Sequence, residues 1–195
     1  MEKFSRITTK KADTNAQSGV TYKGFEIINH NDWDFIKEKD MVAILPYFVD
    51  DGHIYLRSEN IPTYQHGFKD DRQFKSMQNF ITVIIGTVEA GENVGNAIRR
   101  ELYEDAGVVL SSAFPIEIST PLFLGKKNGS KCYLCLLEIR YNDYKQTTPK
   151  NVQKDIESQS RTIKVDLGYI DDIKTFDLIT ELMLTKLKMI MPYKK

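Results

Sequence analysis

Three acids in one short, charged stretch carry the first suggestion of chemistry. Glu101, Glu104 and Asp105 stand at i, i+3 and i+4 within GTVEAGENVGNAIRRELYEDAGV, residues 86–108. If that segment is helical, a turn of about 100° per residue brings all three carboxylates onto one face. Like charges stacked in this way repel each other. A divalent cation would relieve the repulsion, and ligands that offer only oxygen suit a hard ion such as Mg²⁺ or Mn²⁺. The competing reading is a solvated acidic face, the ordinary fate of charges on a helix.

The flanking residues support a helix that can hold such a site. Gly86 and Gly91 bracket the preceding loop, where glycine permits a positive φ and a close approach to the backbone. Asn93 or Gly95 is placed to cap the helix. Ile98, Leu102 and Ala106 form an apolar ridge beside the acids, and Gly107 is a natural C-terminal stop.

Residue by residue, the stretch reads Gly86, five residues, Glu92, seven residues, Arg100-Glu101-Leu102, Tyr103, Glu104-Asp105, Ala106, Gly107-Val108. It resembles the Nudix box: G, five residues, E, seven residues, R-E-U-x-E-E-x-G-U, with U aliphatic. Asp105 departs from it, standing where the family usually has glutamate. Being one methylene shorter, it is expected to reach a metal through a water, or to shift the metal. The resemblance implies a pyrophosphohydrolase that uses Mg²⁺ or Mn²⁺, with Glu101, Glu104, Asp105 and the Gly86 carbonyl as metal ligands. It implies Arg100 as the group that orients a glutamate, and Glu92 as a support or outer-sphere ligand. In several Nudix subfamilies the general base lies on a late loop, which points to Glu157 in KDIESQSR, with Glu104 as the alternative.

Outside the box the order of elements resembles the ADP-ribose and ADP-sugar pyrophosphatases. MVAILPYF (41–48) is similar to their core strand, and GYIDDIKTFDLITELML (168–184) to their closing segment. This implies cleavage of a nucleoside diphosphate sugar to AMP plus a sugar phosphate. It also implies a homodimer whose N-terminal strands reach the other subunit, with Trp33 stacked on adenine and Arg57 on phosphate or ribose. Two departures weigh on the substrate: Arg57-Ser58-Glu59-Asn60 replaces an R-Q-x-R element, and VIIGTVEAGE lacks a proline-alanine-glycine element. The alternatives are a Nudix hydrolase for another nucleotide (a dinucleoside polyphosphate, NADH, a nucleoside triphosphate or capped RNA) or a silent Nudix-fold binding module. The intact acids weigh against the silent module, which has no need for a mutually repelling triad.

The 195 residues fit one domain with a sizeable core. Apolar content of 41% and charged content of 28% are ordinary for a soluble protein. Net charge is zero, so no basic field exists to hold a long nucleic acid. No apolar run reaches membrane-spanning length, and the N-terminus lacks the apolar core of a signal peptide, so a cytoplasmic location is expected. Cys132 and Cys135 fall three apart in a strand-like run, which points them to opposite faces as reduced structural thiols.

The pattern predicts an α/β/α sandwich, of mixed α+β type, around a mixed central sheet. Residues 1–20 are expected to be disordered, 21–40 to form a dimerising strand extension, and 41–195 to form the catalytic domain. Strands are expected at 21–28, 33–40, 41–50, 53–59, 80–85, 116–124, 132–141 and 161–165, and helices at the box and at 170–191. The loops at 60–77 and 142–160 are expected to set specificity.

Overall fold

The computed structural model describes residues 19–22, 25–30, 33–61, 79–152 and 159–191. The segment assigned above to disorder, and Glu157, lie outside the described residues, apart from Gly19 and Val20. The described chain runs β1 (Gly19–Tyr22), β2 (Phe25–His30), β3 (Trp33–Lys37), β4 (Met41–Phe48), β5 (His53–Glu59), β6 (Phe80–Thr82) and β7 (Ile84–Thr87). Helix α1 (Val94–Ala106) follows, then β8 (Val108–Leu110), β9 (Leu122–Gly125), β10 (Asn128–Ile139), β11 (Tyr144–Gln146), β12 (Arg161–Asp166) and α2 (Leu178–Ile190). Ten strands form one mixed sheet among the described residues: seven follow the path β1-β2-β3-β10-β4-β5-β12, β6 pairs with β5, β7 with β4 and β9 with β10, while β8 and β11 pair separately.

Strand β4 is the axis of this sheet. It runs parallel to β10 in unbroken register from Met41↔Cys132 to Phe48↔Ile139. At its far end it turns through Asp50–Gly52 into β5, with Gly52 at φ 65, a left-handed conformation that suits glycine. Only Tyr47↔Ile54 and Phe48↔His53 pair across this hairpin, after which the two strands part like the arms of a V. The segment 80–87 lies inside the V. β6 pairs antiparallel with β5, and β7 pairs antiparallel with β4. The bend between them falls at Val83, whose N–H donates to Thr180 Oγ1 at 2.9 Å. Pro46 lies where β4 passes from β7 to β5, a place where a missing N–H costs the ladder least.

Both faces of β4 are covered, as its continuous apolar run predicts. Val42 and Ile44 pack with Ile98, Leu102 and Ala106 of α1, whereas Ala43 and Leu45 pack with Met183, Leu184 and Leu187 of α2. The architecture is therefore the expected α/β/α sandwich. Cys132 and Cys135 point into opposite cores, and both are free. Burial pushes their thiols up to about 11 and about 12.

Several elements differ from the pattern-based expectation. The single strand read at 21–28 is a hairpin of β1 and β2, because alternation continues through both arms and hides the reversal. The strand read at 116–124 is regular only at Leu122–Gly125, and the strand read at 132–141 is Asn128–Ile139. Pro121 interrupts the former, since proline cannot donate to a ladder. That segment still lies beside β10, where Ser119 N donates to Leu134 O at 3.2 Å and Leu134 N to Ser119 Oγ at 3.1 Å. The helix read at 170–191 starts at Leu178, after a 3₁₀ turn at Leu167–Asp172. Asp177 caps it by accepting from Thr180 N at 2.7 Å. The β8–β11 pair joins the end of the box to a stretch read as loop, 142–160, and was not foreseen.

Candidate active site

Helix α1 is held at both ends as its sequence predicts. Asn93 Oδ1 accepts from Asn96 N at 2.8 Å, and Gly107, at φ 66, closes the other end through its N–H to Tyr103 O at 3.0 Å. A Cβ at Gly107 would lie 2.1 Å from Thr147 O, so glycine is required there on two counts. With Ile98 and Leu102 fully buried, the acid positions turn toward the mouth of the V. Glu101 and Asp105 are buried and Glu104 is half-buried, so these acids do not form a solvated face.

Gly86, on β7, faces Glu101. A Cβ on Gly86 would lie 1.9 Å from Glu101 Cδ, so the glutamate occupies the space of the missing side chain. Arg100 ties the loop to the helix. Its Nε and Nη2 donate to the two oxygens of Glu92 at 3.0 and 2.9 Å. Nη2 also donates to Thr87 O at 2.7 Å, while Nη1 donates to Glu101 Oε1 at 2.6 Å and approaches Glu104 Oε2 at 3.4 Å. Such a planar fork is what a guanidinium offers and an ammonium does not. Glu92 precedes the N-cap and is not a first-turn charge.

The far half of the acid face is held by the chain after β11. Lys150 Nζ donates to Glu104 Oε1 at 2.7 Å, and Asn151 N donates to Glu104 O at 2.9 Å. Asn151 Nδ2 donates to Asp105 Oδ1 at 2.9 Å, and Arg57 Nε lies 3.8 Å from Asp105 Oδ2. Arg57 is buried, donating to Glu59 Oε1 and to Thr162 Oγ1, both at 3.1 Å. Sequence reasoning missed Lys150 and Asn151 as individuals. The only available signal was their place in a polar loop.

These partners set the protonation of the site. Arg100 holds Glu92 below the usual carboxylate range, and Glu92 in turn raises Arg100 further above its ordinary value. Lys150 is the main cause that lowers Glu104. Burial pushes Glu101 up, against the pull of Arg100.

Arg57, Glu59, Asn60, Thr87, Glu89, Arg100, Glu101, Glu104, Asp105 and Asn151 line a polar cleft of about 450 Å³. Its size is that of a small-ligand site. Trp33 opens β3 in register with His30, at the far side of β10 from the V, and its side chain lies outside the described residues. Among the described residues, no three His, Cys, Asp or Glu side chains are grouped to hold one ion. Each of the three carboxylates instead has a partner within the chain: Arg100 for Glu101, Arg100 and Lys150 for Glu104, and Asn151 and Arg57 for Asp105. Mg²⁺ needs only one or two protein carboxylates and completes its shell with water and phosphate oxygens. The oxygen-only donor set of Glu101, Glu104, Asp105 and the Gly86 carbonyl fits that requirement.

No protein-family model and no curated protein matches this chain. Among solved structures, many chains resemble it. One belongs to work on MutT from the psychrophilic fish pathogen Aliivibrio salmonicida and the mesophile Vibrio cholerae, with 16% identity and a TM-score of 0.51 over 77% of this chain and 96% of that one. No helix among the described residues is long and apolar enough to cross a membrane. The chain therefore has the Nudix fold, an α/β/α sandwich that it shares with MutT.

Proposed function

We propose that the chain is a divalent-metal-dependent pyrophosphohydrolase that cleaves a nucleoside diphosphate linked to another moiety, with ADP-ribose or an ADP-sugar as substrate and AMP plus a sugar phosphate as products. One observation carries this reading: Glu101 lies over Gly86 at the floor of a polar cleft, fixed there by an arginine that also binds Glu92 and the Thr87 carbonyl. A bound Mg²⁺ or Mn²⁺ would neutralise the pyrophosphate oxygens and lower the pKa of a bound water. Glu101, Glu104, Asp105 and the Gly86 carbonyl would hold it. Arg100 holds Glu101 at the cleft and opposes the upward push of burial on its carboxyl. Arg57 and Asn151 fix the shorter Asp105, and Arg57 contributes positive charge to the cleft floor near the phosphates. Glu104 or Glu157 serves as base, and Trp33 takes the adenine. We read the protein as a cytoplasmic homodimer in which the β1–β3 meander, at the end of the described sheet, meets the other subunit.

A second reading is favoured by the ion pairs themselves. Each acid has a cationic or amide partner within the chain, so the triad is stable without a metal, as a nucleotide-binding module that cleaves nothing would require. Repulsion within the triad is thus relieved in both readings. Metal-dependent turnover over a nucleotide panel separates them. The expected result is hydrolysis with Mg²⁺ or Mn²⁺, release of AMP and ribose 5-phosphate from ADP-ribose, and loss of about 10²-fold or more in kcat for Glu104→Gln. Full activity in Glu104→Gln would remove that residue from the mechanism, and no turnover with either metal leaves the binding module.

A further inference from the structure

Glu104 is held from two sides by cations of different character. Arg100 cannot leave, because the same guanidinium also binds Glu92, Glu101 and the Thr87 carbonyl. Arg57, beside Asp105, is only 3% exposed and is bonded to Glu59 and Thr162. Lys150 differs from both. Its side chain is 61% exposed, and among the described residues its hydrogen bond goes to Glu104 at 2.7 Å. Its backbone is nevertheless pinned, since Asn151 N donates to Glu104 O at 2.9 Å and Thr147 N to Gly107 O at 2.8 Å. Lys150 is thus a flexible ammonium on a fixed mount at the rim of the cleft. An exposed ammonium–carboxylate pair is weakly held, and its partner is exchanged at small cost.

Resting on the reading of Glu104 as a metal ligand, we propose that Lys150 is an exchangeable counter-ion, whose ammonium and a divalent cation compete for the same Glu104 oxygen. Lys150 is then a positioning residue that sets the metal affinity of the site by way of Glu104. Arg100 and Arg57 cannot play this part, because their release would strand buried carboxylates.

The test uses the full chain, Mn²⁺ alone, and an amine-acylating reagent read by mass spectrometry, with Mn²⁺ binding followed separately by electron paramagnetic resonance. Saturating Mn²⁺ is expected to raise the acylation rate of Lys150 roughly two- to fivefold, the strength of an exposed pair, with exposed Lys145 unchanged. In Glu104→Gln, Lys150 is expected to label fast with or without Mn²⁺. Lys150→Met, a change at an exposed position that does not threaten folding, is expected to bind Mn²⁺ about two- to fivefold more tightly, whereas Lys150→Arg is not. Mn²⁺ binding with unchanged Lys150 labelling overturns the proposal alone. A wild type that binds no Mn²⁺ overturns the metal reading and the proposal with it.

Discussion

Gly86 is a glycine because Glu101 uses the space its side chain would fill. Gly86→Ala is therefore expected to push the Glu101 carboxylate off the cleft floor. The predicted cost is about 1–3 kcal/mol of stability, as for other overpacked sites, with loss of metal-dependent turnover. Urea denaturation and the substrate panel check both parts, and a variant with wild-type stability would show that Glu101 moves freely. Glu92 makes a prediction in pH. Arg100 holds its folded-state pKa below the ordinary value of 4.5, so Glu92 stabilises the fold above that value, and the contribution is lost as pH falls through the depressed pKa. Glu101 acts with the opposite sign: burial raises it, so its contribution is full in acid and lost as pH rises through the raised value. Glu92→Gln is expected to flatten the acid limb of the stability curve, measured as the urea midpoint from neutral pH to about pH 3. A variant whose acid limb matches the wild type would argue against the Arg100–Glu92 pair as its source.

At the scale of elements, the bend between β6 and β7 depends on the start of α2. Val83 N has no ladder partner at the apex of the V and donates to Thr180 Oγ1, which in turn donates to Asp177 Oδ2 at 2.5 Å. Thr180 is fully buried, so Thr180→Val strands the Val83 N–H away from water and removes one of the hydrogen bonds to Asp177, which keeps that from Thr180 N. The expected loss is about 1–3 kcal/mol, with Thr180→Ser recovering most of it. Chemical denaturation of the two variants measures the difference, and equal losses would shift the cause from the hydroxyl to the methyl. Gly107 was readable as the stop of α1, and Asn93 as one of two N-cap candidates beside Gly95, because capping is decided within a few residues. The start of α2 was misplaced because Ile170 and Ile173 continue the apolar pattern of the helix while lying before it and packing from irregular backbone.

Across the whole molecule, β4 and β10 serve two cores at once, so neither core can open alone without exposing strands shared with the other. The two thiols report on this directly. Cys132 lies in the core under α2, and Cys135 in the core under α1. With Cys132→Ala and Cys135→Ala as single-thiol variants, each remaining thiol is expected to become reactive at the unfolding midpoint of its own variant. Reactivity of either thiol well below the global transition would show that the two layers unfold separately. The same arrangement places the site: the V parts β4 from β5, β7 fills the gap, and the cleft opens where α1 meets that fork.

The sequence by itself determined the acid helix, its glycine stop, its buried ridge, the opposed cysteines and the doubly buried β4. All of these rest on periodicity or on contacts within a few residues. It did not determine what the acids face. Lys150 and Asn151 reach Glu104 and Asp105 from 46 residues away, and Arg57 arrives from a different strand. Those meetings depend on the splay of β4 and β5 and on the path of the chain after β11, which no repeat in the sequence encodes. A triad that looks self-repelling along the helix becomes, in three dimensions, a set of carboxylates that each have a partner: Glu101 finds Arg100 beside it in the chain, and folding brings distant side chains to Glu104 and Asp105.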